Sequence, residues 1–145
     1  MVTLISRSPE ETESLGQSWG SAATSGQVIG LTGDLGAGKT QLIKGLARGL
    51  GVKSPVLSPS FALVHEYTDG RLALFHLDLY RLQSPSQVVG AGMEEYFYNP
   101  PGVTVIEWVE RWSPSASSLI HPYRHVTIES LSDTERRITY EDFGA

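Results

Sequence analysis

The sequence predicts an α/β fold, in which one mixed parallel and antiparallel sheet is flanked by helices. Short apolar runs alternate along the chain with segments of helical periodicity, which is typical of this class. The 145 residues are 40% hydrophobic and 19% charged, as in ordinary globular proteins. A chain of this length buries enough surface to form one core. We therefore predict a single domain over residues 1–145.

A helix is predicted near the start of the chain. Ser8 can cap it, Pro9 suits the first helical position, and Glu11 completes a capping box. Helical spacing continues to about Ala23, and Gly26 follows as a terminator.

A buried strand and a second helix come next. Val28 to Leu31 is a nearly continuous apolar run, typical of a strand covered on both faces. Helix is predicted to begin at Lys39 or Thr40 and to end before a C-terminal glycine cap at Gly51. Its apolar positions recur at helical spacing and are Leu42, Ile43, Leu46, Ala47 and Leu50.

The middle of the chain predicts an antiparallel hairpin. Phe61 to Tyr67 and Arg71 to Leu77 have strand composition, and Asp69-Gly70 between them is a strong turn signal. A helix is predicted after Ser84-Pro85, although two glycines lower its stability.

Three more strands are predicted towards the end. Val103 to Ile106 is apolar throughout, and Val126 to Ser130 and Arg137 to Tyr140 flank a turn at Ser132-Asp133. Parallel strands are expected beside the glycine-rich stretch that follows Leu31, and antiparallel hairpins elsewhere.

Composition excludes several classes of protein. The chain has no cysteine, which excludes disulfides and thiol chemistry and suits a reducing compartment such as the cytoplasm. No apolar run approaches the roughly 20 residues of a membrane span, so no membrane partner is expected. The formal net charge of -5 disfavours nucleic acid held by this chain alone, although a local basic patch is compatible with it.

One motif carries the chemistry. Gly33-Asp34-Leu35-Gly36-Ala37-Gly38-Lys39-Thr40 matches G-x-x-x-x-G-K-[ST] in full, between a predicted strand and a predicted helix. Glycines let successive backbone N–H groups converge on phosphate oxygens at a helix N-terminus. Lys39 would reach the β- and γ-phosphates, and the Thr40 hydroxyl would bind Mg²⁺. The motif predicts a P-loop NTPase fold that binds ATP and magnesium.

Two acids are candidates for the same site. P-loop proteins place a carboxylate at the end of a neighbouring strand, and apolar runs here end in Asp78 and in Glu107. Both are candidate metal ligands and, with Lys39, candidate catalytic residues. Strand-end acids that simply face solvent are the alternative. Arg81 is either a surface cation in an ion pair or a contact for phosphate or a partner.

The sequence leaves more than one activity open. Its only asparagine is Asn99, so the Asn-Lys-x-Asp motif of a standard GTPase is missing. A small-molecule kinase and a nucleotide-dependent switch remain alternatives to an ATPase.

Several motifs together resemble the bacterial TsaE family, also called YjeE, of tRNA threonylcarbamoyladenosine biosynthesis ATPases. Besides the phosphate loop, the similar segments are Glu11-Thr12, Ser58-Pro59-Ser60-Phe61, His76-Leu77-Asp78-Leu79-Tyr80-Arg81 and Ile106-Glu107-Trp108. They follow the family's order over about two-thirds of the chain. The family usually has threonine where Ser60 stands, and serine keeps the hydroxyl.

The resemblance implies an ATP- and magnesium-dependent ATPase that acts with TsaD and TsaB. That pair transfers a threonylcarbamoyl group to an adenosine of the tRNA anticodon loop, so tRNA would be met through the complex. By resemblance Lys39 and the loop hold phosphates, Thr40 and Glu107 organise magnesium, and Asp78 supports the metal or the attacking water. Trp108 and Ser60 would lie near the nucleotide.

Thr12 is the candidate contact for the adenine base. Three histidines are interpreted as structural: His65, His121 and His125.

Overall fold

Seven strands form one sheet in the computed structural model, which describes residues 1–33, 38–57, 63–111 and 122–144. The strands are β1 (Val2–Ser6), β2 (Val28–Thr32), β3 (Val64–Tyr67), β4 (Leu74–Asp78), β5 (Val103–Glu107), β6 (Tyr123–Ser130) and β7 (Arg136–Phe143). The helices are α1 (Pro9–Ala22), α2 (Lys39–Gly49) and α3 (Pro85–Gly90), with short 3-10 helices at Met93–Tyr96 and Val109–Arg111.

The sheet is parallel at its centre and antiparallel at both sides. Its order is β1-β7-β6-β2-β5-β4-β3. Strand β2 runs parallel to β5 and β6, and β4 runs parallel to β5. The pairs β3–β4, β6–β7 and β1–β7 are antiparallel. The predicted α/β class with a mixed sheet is therefore confirmed, and β2, β4 and β5 end at one common edge.

Helices pack on both faces of the sheet. One hydrophobic cluster joins α1 and α2 to the sheet, and it includes Ile29, Leu31, Leu42, Ile43 and Leu46. A second cluster joins α3 and the 3-10 helix Met93–Tyr96 to the sheet, and it includes Val28, Leu77, Val88, Phe97 and Ile106. Val28 and Ile29 contact opposite clusters, as successive strand residues do. Because β2 is covered on both faces, its continuous apolar run is explained.

The ends of α1 and α2 agree closely with the sequence prediction. The Ser8 hydroxyl accepts a hydrogen bond from the Glu11 N–H at 3.1 Å. The Glu11 carboxylate accepts from the Arg7 N–H at 2.7 Å, one residue earlier than a standard capping box. After α2, Gly51 has a φ of 82°, the left-handed conformation expected of a glycine cap.

The predicted hairpin forms, but its strands are shorter than expected. Val64 pairs with Leu77 and Tyr67 with Leu74, so residues 68–73 are the connection. The Asp69 carboxylate instead accepts hydrogen bonds from the backbone N–H groups of Lys53 and Ser54 at 3.0 and 3.1 Å. Residues 61 and 62 of the predicted first strand lie outside the described residues.

One strand was not predicted, and the predicted bounds of two others are too short. Strand β1 was not predicted, and β6 and β7 each extend beyond the predicted Val126 to Ser130 and Arg137 to Tyr140. Most of β1 is exposed, so burial gives its sequence no clear alternating pattern. Its position is set by antiparallel pairing with β7, which a local pattern does not reveal.

Four glycines let α1 and α2 cross in backbone contact. A methyl group at Gly16 or Gly20 would lie 2.2 Å from a carbonyl oxygen of α2, and one at Gly49 would lie 2.2 Å from a carbonyl oxygen of α1. At Gly45 the distance to the Glu13 oxygen would be 1.9 Å. In each helix the glycines are four residues apart and so share one face. This contact fixes where α2 lies over the sheet.

We expect Gly45→Ala to lower the free energy of unfolding by about 3 kcal/mol or more, since the added methyl group meets backbone that cannot move aside. Urea denaturation followed by circular dichroism measures this change. The control is Gly90→Ala at the end of α3, where the methyl group meets nothing within 4 Å. That variant should be unchanged or slightly stabilised, and equal stability of the two variants would contradict the backbone contact.

Candidate functional site

The candidate site lies where β2, β4 and β5 end and α2 begins. Gly38 precedes α2 with a φ of 100°, a left-handed conformation that glycine adopts without strain. Thr40 is an exposed residue in the first turn of the same helix. The predictions for Asp34, Leu35, Gly36 and Ala37 lie outside the described residues. Gly33 and Gly38 mark the two described ends of the phosphate loop.

Lys39 lies buried at the base of this loop. Only 4% of the residue is exposed, and its ammonium group donates a hydrogen bond to the Gly33 carbonyl at 2.6 Å. The same nitrogen lies 3.8 Å from the centroid of the Trp108 ring, within cation–π range. A buried lysine needs such partners, because its charge is costly to remove from water. The contacts hold a positive charge beside Gly33, where the loop begins.

Asp78 and Glu107 lie side by side at the carboxyl ends of β4 and β5. They are directly paired in the parallel register, and both are buried. The Tyr80 N–H donates to an Asp78 carboxylate oxygen at 2.9 Å. Burial raises the pKa of Asp78 and repulsion from Glu107 raises it further, while the Tyr80 N–H, His76 and Lys39 oppose the shift. Two carboxylates this close together favour a cation.

His76 is a site residue to which the sequence analysis assigned no role. Its Nε2 atom lies 2.7 Å from Oε2 of Glu107, and the residue is 1% exposed. His76 and Asp78 are two residues apart on β4, so they share one face of the sheet. That spacing, taken with Glu107 on a neighbouring parallel strand, is the signal that could have identified it.

Trp108 turns the chain sharply after β5. Its φ is 61°, a left-handed conformation that costs a non-glycine residue roughly 1 to 2 kcal/mol. Its N–H donates to the Leu31 carbonyl at 3.0 Å, which fixes the turn against β2. The ring lies over Lys39, and its centroid is 5.1 Å from that of Tyr80. The strained backbone therefore places an aromatic wall beside the ammonium group.

Thr12 comes close to the end of the phosphate loop from α1. Its hydroxyl lies 2.7 Å from that of Ser6, and the residue is buried. Thr12 lines a cavity of about 100 Å³ together with Pro9, Gly38, Gln41, Thr134 and Arg136. Gly38, the described C-terminal end of the phosphate loop, is part of the cavity lining. Ser60, which was also predicted to lie near the nucleotide, lies outside the described residues.

The histidines interpreted as structural lie beside tyrosines. Nδ1 of His65 is 3.4 Å from the Tyr67 hydroxyl, and Nδ1 of His125 is 2.9 Å from the Tyr123 hydroxyl. His121 lies outside the described residues. Arg81 is exposed.

Comparison with protein families gives a match over most of the chain. The model for "Threonylcarbamoyl adenosine biosynthesis protein TsaE" matches residues 6–138. The chain belongs to the TsaE family. The match includes the phosphate loop, both strand-end acids, His76 and Trp108.

TsaE proteins of several bacteria are similar in sequence. The Bacillus subtilis protein is 39% identical over 94% of this chain and 82% of its own length. The Treponema pallidum protein is 42% identical over 93% and 96%. The Nostoc sp. protein is 44% identical over 83% and 76%. All three are named tRNA threonylcarbamoyladenosine biosynthesis protein TsaE.

A solved structure supports the fold of this TsaE family member. The crystal structure of Bacillus subtilis YdiB superposes with a TM-score of 0.79 at 34% identity and covers 99% of this chain and 86% of YdiB. None of the described helices has the length and apolar character that crossing a bilayer requires.

The raised pKa of Asp78 predicts a pH-dependent stability difference. Asn at position 78 keeps the acceptor for the Tyr80 N–H but has no charge to desolvate. Because the folded-state pKa is raised, the wild-type carboxyl stabilises the fold when protonated, below about pH 4, and this contribution is lost as the pH rises through the folded pKa. In metal-free buffer, Asp78→Asn should therefore become progressively more stable than wild type towards neutral pH.

Asp142→Asn is the control with the opposite sign. Arg124 donates to Asp142 at 2.6 Å and lowers its pKa, so this variant should lose stability at neutral pH and regain it on acidification. Urea unfolding at a series of pH values tests both variants. Parallel pH trends for the two would show that Asp78 does not carry a raised pKa.

Proposed function

We propose that this TsaE family member is a magnesium-dependent ATPase that serves the threonylcarbamoyladenosine modification of tRNA. It would act in the cytoplasm as one domain over residues 1–145, together with proteins of the TsaD and TsaB type. Contact with tRNA would come through that complex. Family membership supports the pathway, and the geometry around Lys39 supports the chemistry.

The observation that carries the proposal is a buried ammonium group near two buried carboxylates. The Lys39 ammonium contacts Gly33, where the phosphate loop begins, and it interacts electrostatically with Asp78, which is paired with Glu107 at the ends of β4 and β5. In this proposal the backbone N–H groups of Gly33-Asp34-Leu35-Gly36-Ala37-Gly38-Lys39 hold the phosphates, and the Lys39 ammonium binds β- and γ-phosphate oxygens. The N-terminus of α2 adds partial positive charge to the same place.

The donor atoms at the site fit magnesium. The Thr40 hydroxyl and the carboxylates of Asp78 and Glu107 are hard oxygen ligands, which Mg²⁺ prefers. Among the described residues no group of three or more His, Cys, Asp and Glu side chains could hold a metal ion. Phosphate oxygens and water would therefore complete the coordination, as is usual for Mg²⁺ with nucleotides. The ion would neutralise charge that develops on the phosphates during hydrolysis.

The remaining residues would position the reactants. Glu107 would orient the metal, and Asp78 would support the metal or accept a hydrogen bond from the attacking water. Trp108 would hold the Lys39 side chain in place through the contact between its ring and the ammonium group. Thr12, in the cavity wall beside Gly38, would contact the adenine side of the nucleotide. Ser60 would lie near the nucleotide.

Lys39→Ala should weaken ATP binding by about 100-fold or more, because charged hydrogen bonds contribute about 1.5 to 3 kcal/mol each and this lysine would make several. Isothermal titration calorimetry measures the affinity, and thermal melting checks the fold. The control is Lys44→Ala, which removes an exposed lysine from the same helix. The site assignment is wrong if Lys39→Ala binds ATP as the control does.

Hydrolysis should be slow for the isolated chain and faster with its partners. The sequence contains no motif that identifies an arginine finger, and a charge supplied in trans accelerates other P-loop proteins by about 10³ to 10⁵. Phosphate release should be measured for the chain alone, with purified TsaB and TsaD, and with each singly. Rapid turnover that the partners leave unchanged would refute partner activation.

Two further measurements separate the alternatives. A small-molecule kinase would transfer phosphate to a metabolite acceptor instead of releasing it to water. A nucleotide-dependent switch would bind its partners with different affinity in the presence of ADP and of a non-hydrolysable ATP analogue.

A further inference from the structure

We propose that His76 is a positioning residue that holds the Glu107 carboxylate in the orientation required for magnesium. The inference rests on the proposed function, and it assigns a role to a side chain that would touch neither nucleotide nor metal. Its basis is one short contact between two buried groups, in the deepest part of the site.

The contact requires a hydrogen on one nitrogen of the His76 ring. Nε2 of His76 lies 2.7 Å from Oε2 of Glu107, and an ionised carboxylate can only accept. Nε2 therefore donates, and one carboxylate oxygen is occupied by the ring. The second oxygen, Oε1, remains for the metal or a water in its shell. A ligand whose one oxygen is held this way loses its freedom to rotate, which favours metal binding.

Strand register explains how the ring reaches the carboxylate. His76 is paired with Val105 and Asp78 with Glu107, so His76 lies one pleat repeat deeper in the sheet than the two acids. The ring thus supports Glu107 from the interior side. Gly33 directly follows the end of β2, and Thr40 lies in the first turn of α2. Glu107 is held between an interior donor and the exterior position proposed for the metal.

Simple packing does not account for a histidine here. Nδ1 of His76 is buried and has no hydrogen-bond partner among the described residues, which is a cost that an apolar side chain would avoid. A lysine could also bind the carboxylate, but its fixed positive charge would repel a magnesium ion nearby. An imidazole can orient the carboxylate through Nε2 without carrying a fixed charge. The residue type therefore fits a positioning role.

Two amide variants isolate the hydrogen bond. In His76→Gln the side-chain nitrogen can occupy the position of Nε2 and donate to Glu107, whereas in His76→Asn the amide is shorter and falls near Nδ1. Both variants bury an uncharged amide, so they differ chiefly in reach. His125→Asn is a further control, since His125 bonds to the Tyr123 hydroxyl on β6 and has no contact with Glu107.

The readout is the gain in ATP affinity that magnesium provides, measured by calorimetry with and without Mg²⁺. His76→Asn should lose about 10- to 100-fold of that gain, as second-shell substitutions do at metal sites, and its affinity for metal-free ATP should be unchanged. His76→Gln and His125→Asn should keep the gain. Equal behaviour of the Gln and Asn variants, both retaining it or both losing it, overturns the inference.

A spectroscopic measurement covers the case in which an amide variant does not fold. In the ¹⁵N-histidine spectrum of the metal-free wild-type chain, His76 should carry a hydrogen on Nε2 that exchanges slowly with water. The Nδ1-protonated tautomer would overturn the inference. If instead wild type shows no magnesium-dependent gain in ATP affinity, the proposed function fails. If wild type shows the gain and the His76 variants match it, only the role of His76 fails.

Discussion

The close crossing of α1 and α2 is the constraint on which the site depends. Helix α2 carries Gly38, Lys39 and Thr40 at its start, so its position over the sheet sets where the ammonium group lies. Glycines at the crossing allow backbone to touch backbone, and the shared hydrophobic cluster with β2 holds both helices against one face. Close packing of this kind leaves little room for the helix to slide or tilt. The sheet and α1 together hold α2 in one place.

Against that fixed helix, parallel pairing gathers the charges. Strands that run in the same direction end at the same edge, and the register sets Asp78 beside Glu107 with His76 one repeat below. Burying any one of these groups alone would cost free energy, and the others offset that cost. The Lys39 ammonium, the Tyr80 N–H and the His76 ring all interact with the carboxylates. Among the described residues, buried Lys39, His76, Asp78 and Glu107 are therefore gathered at this edge of the sheet.

Local patterns predicted most of the fold, and they singled out Lys39, Asp78 and Glu107, which the structure brings together at the candidate site. Caps, glycine stops and apolar runs are short-range features, so α1, α2, β2 and β5 were placed within a few residues. Strand β1, the role of His76 and the left-handed turn at Trp108 depend on pairing between distant segments, which no local pattern encodes. The glycines at the helix crossing were visible in the sequence, but only the partner backbone explains them.

The placement of Trp108 gives the protein an optical property of its own. An indole 3.8 Å from an ammonium group experiences a strong local electric field, to which its emission wavelength responds. An anion that drew the Lys39 side chain away from the ring would change that field directly. Trp19, on α1, lies instead against Tyr140 and Arg124, so the same event would not change its contacts directly. Occupancy of the loop would thus be visible in the intrinsic fluorescence of the unlabelled chain.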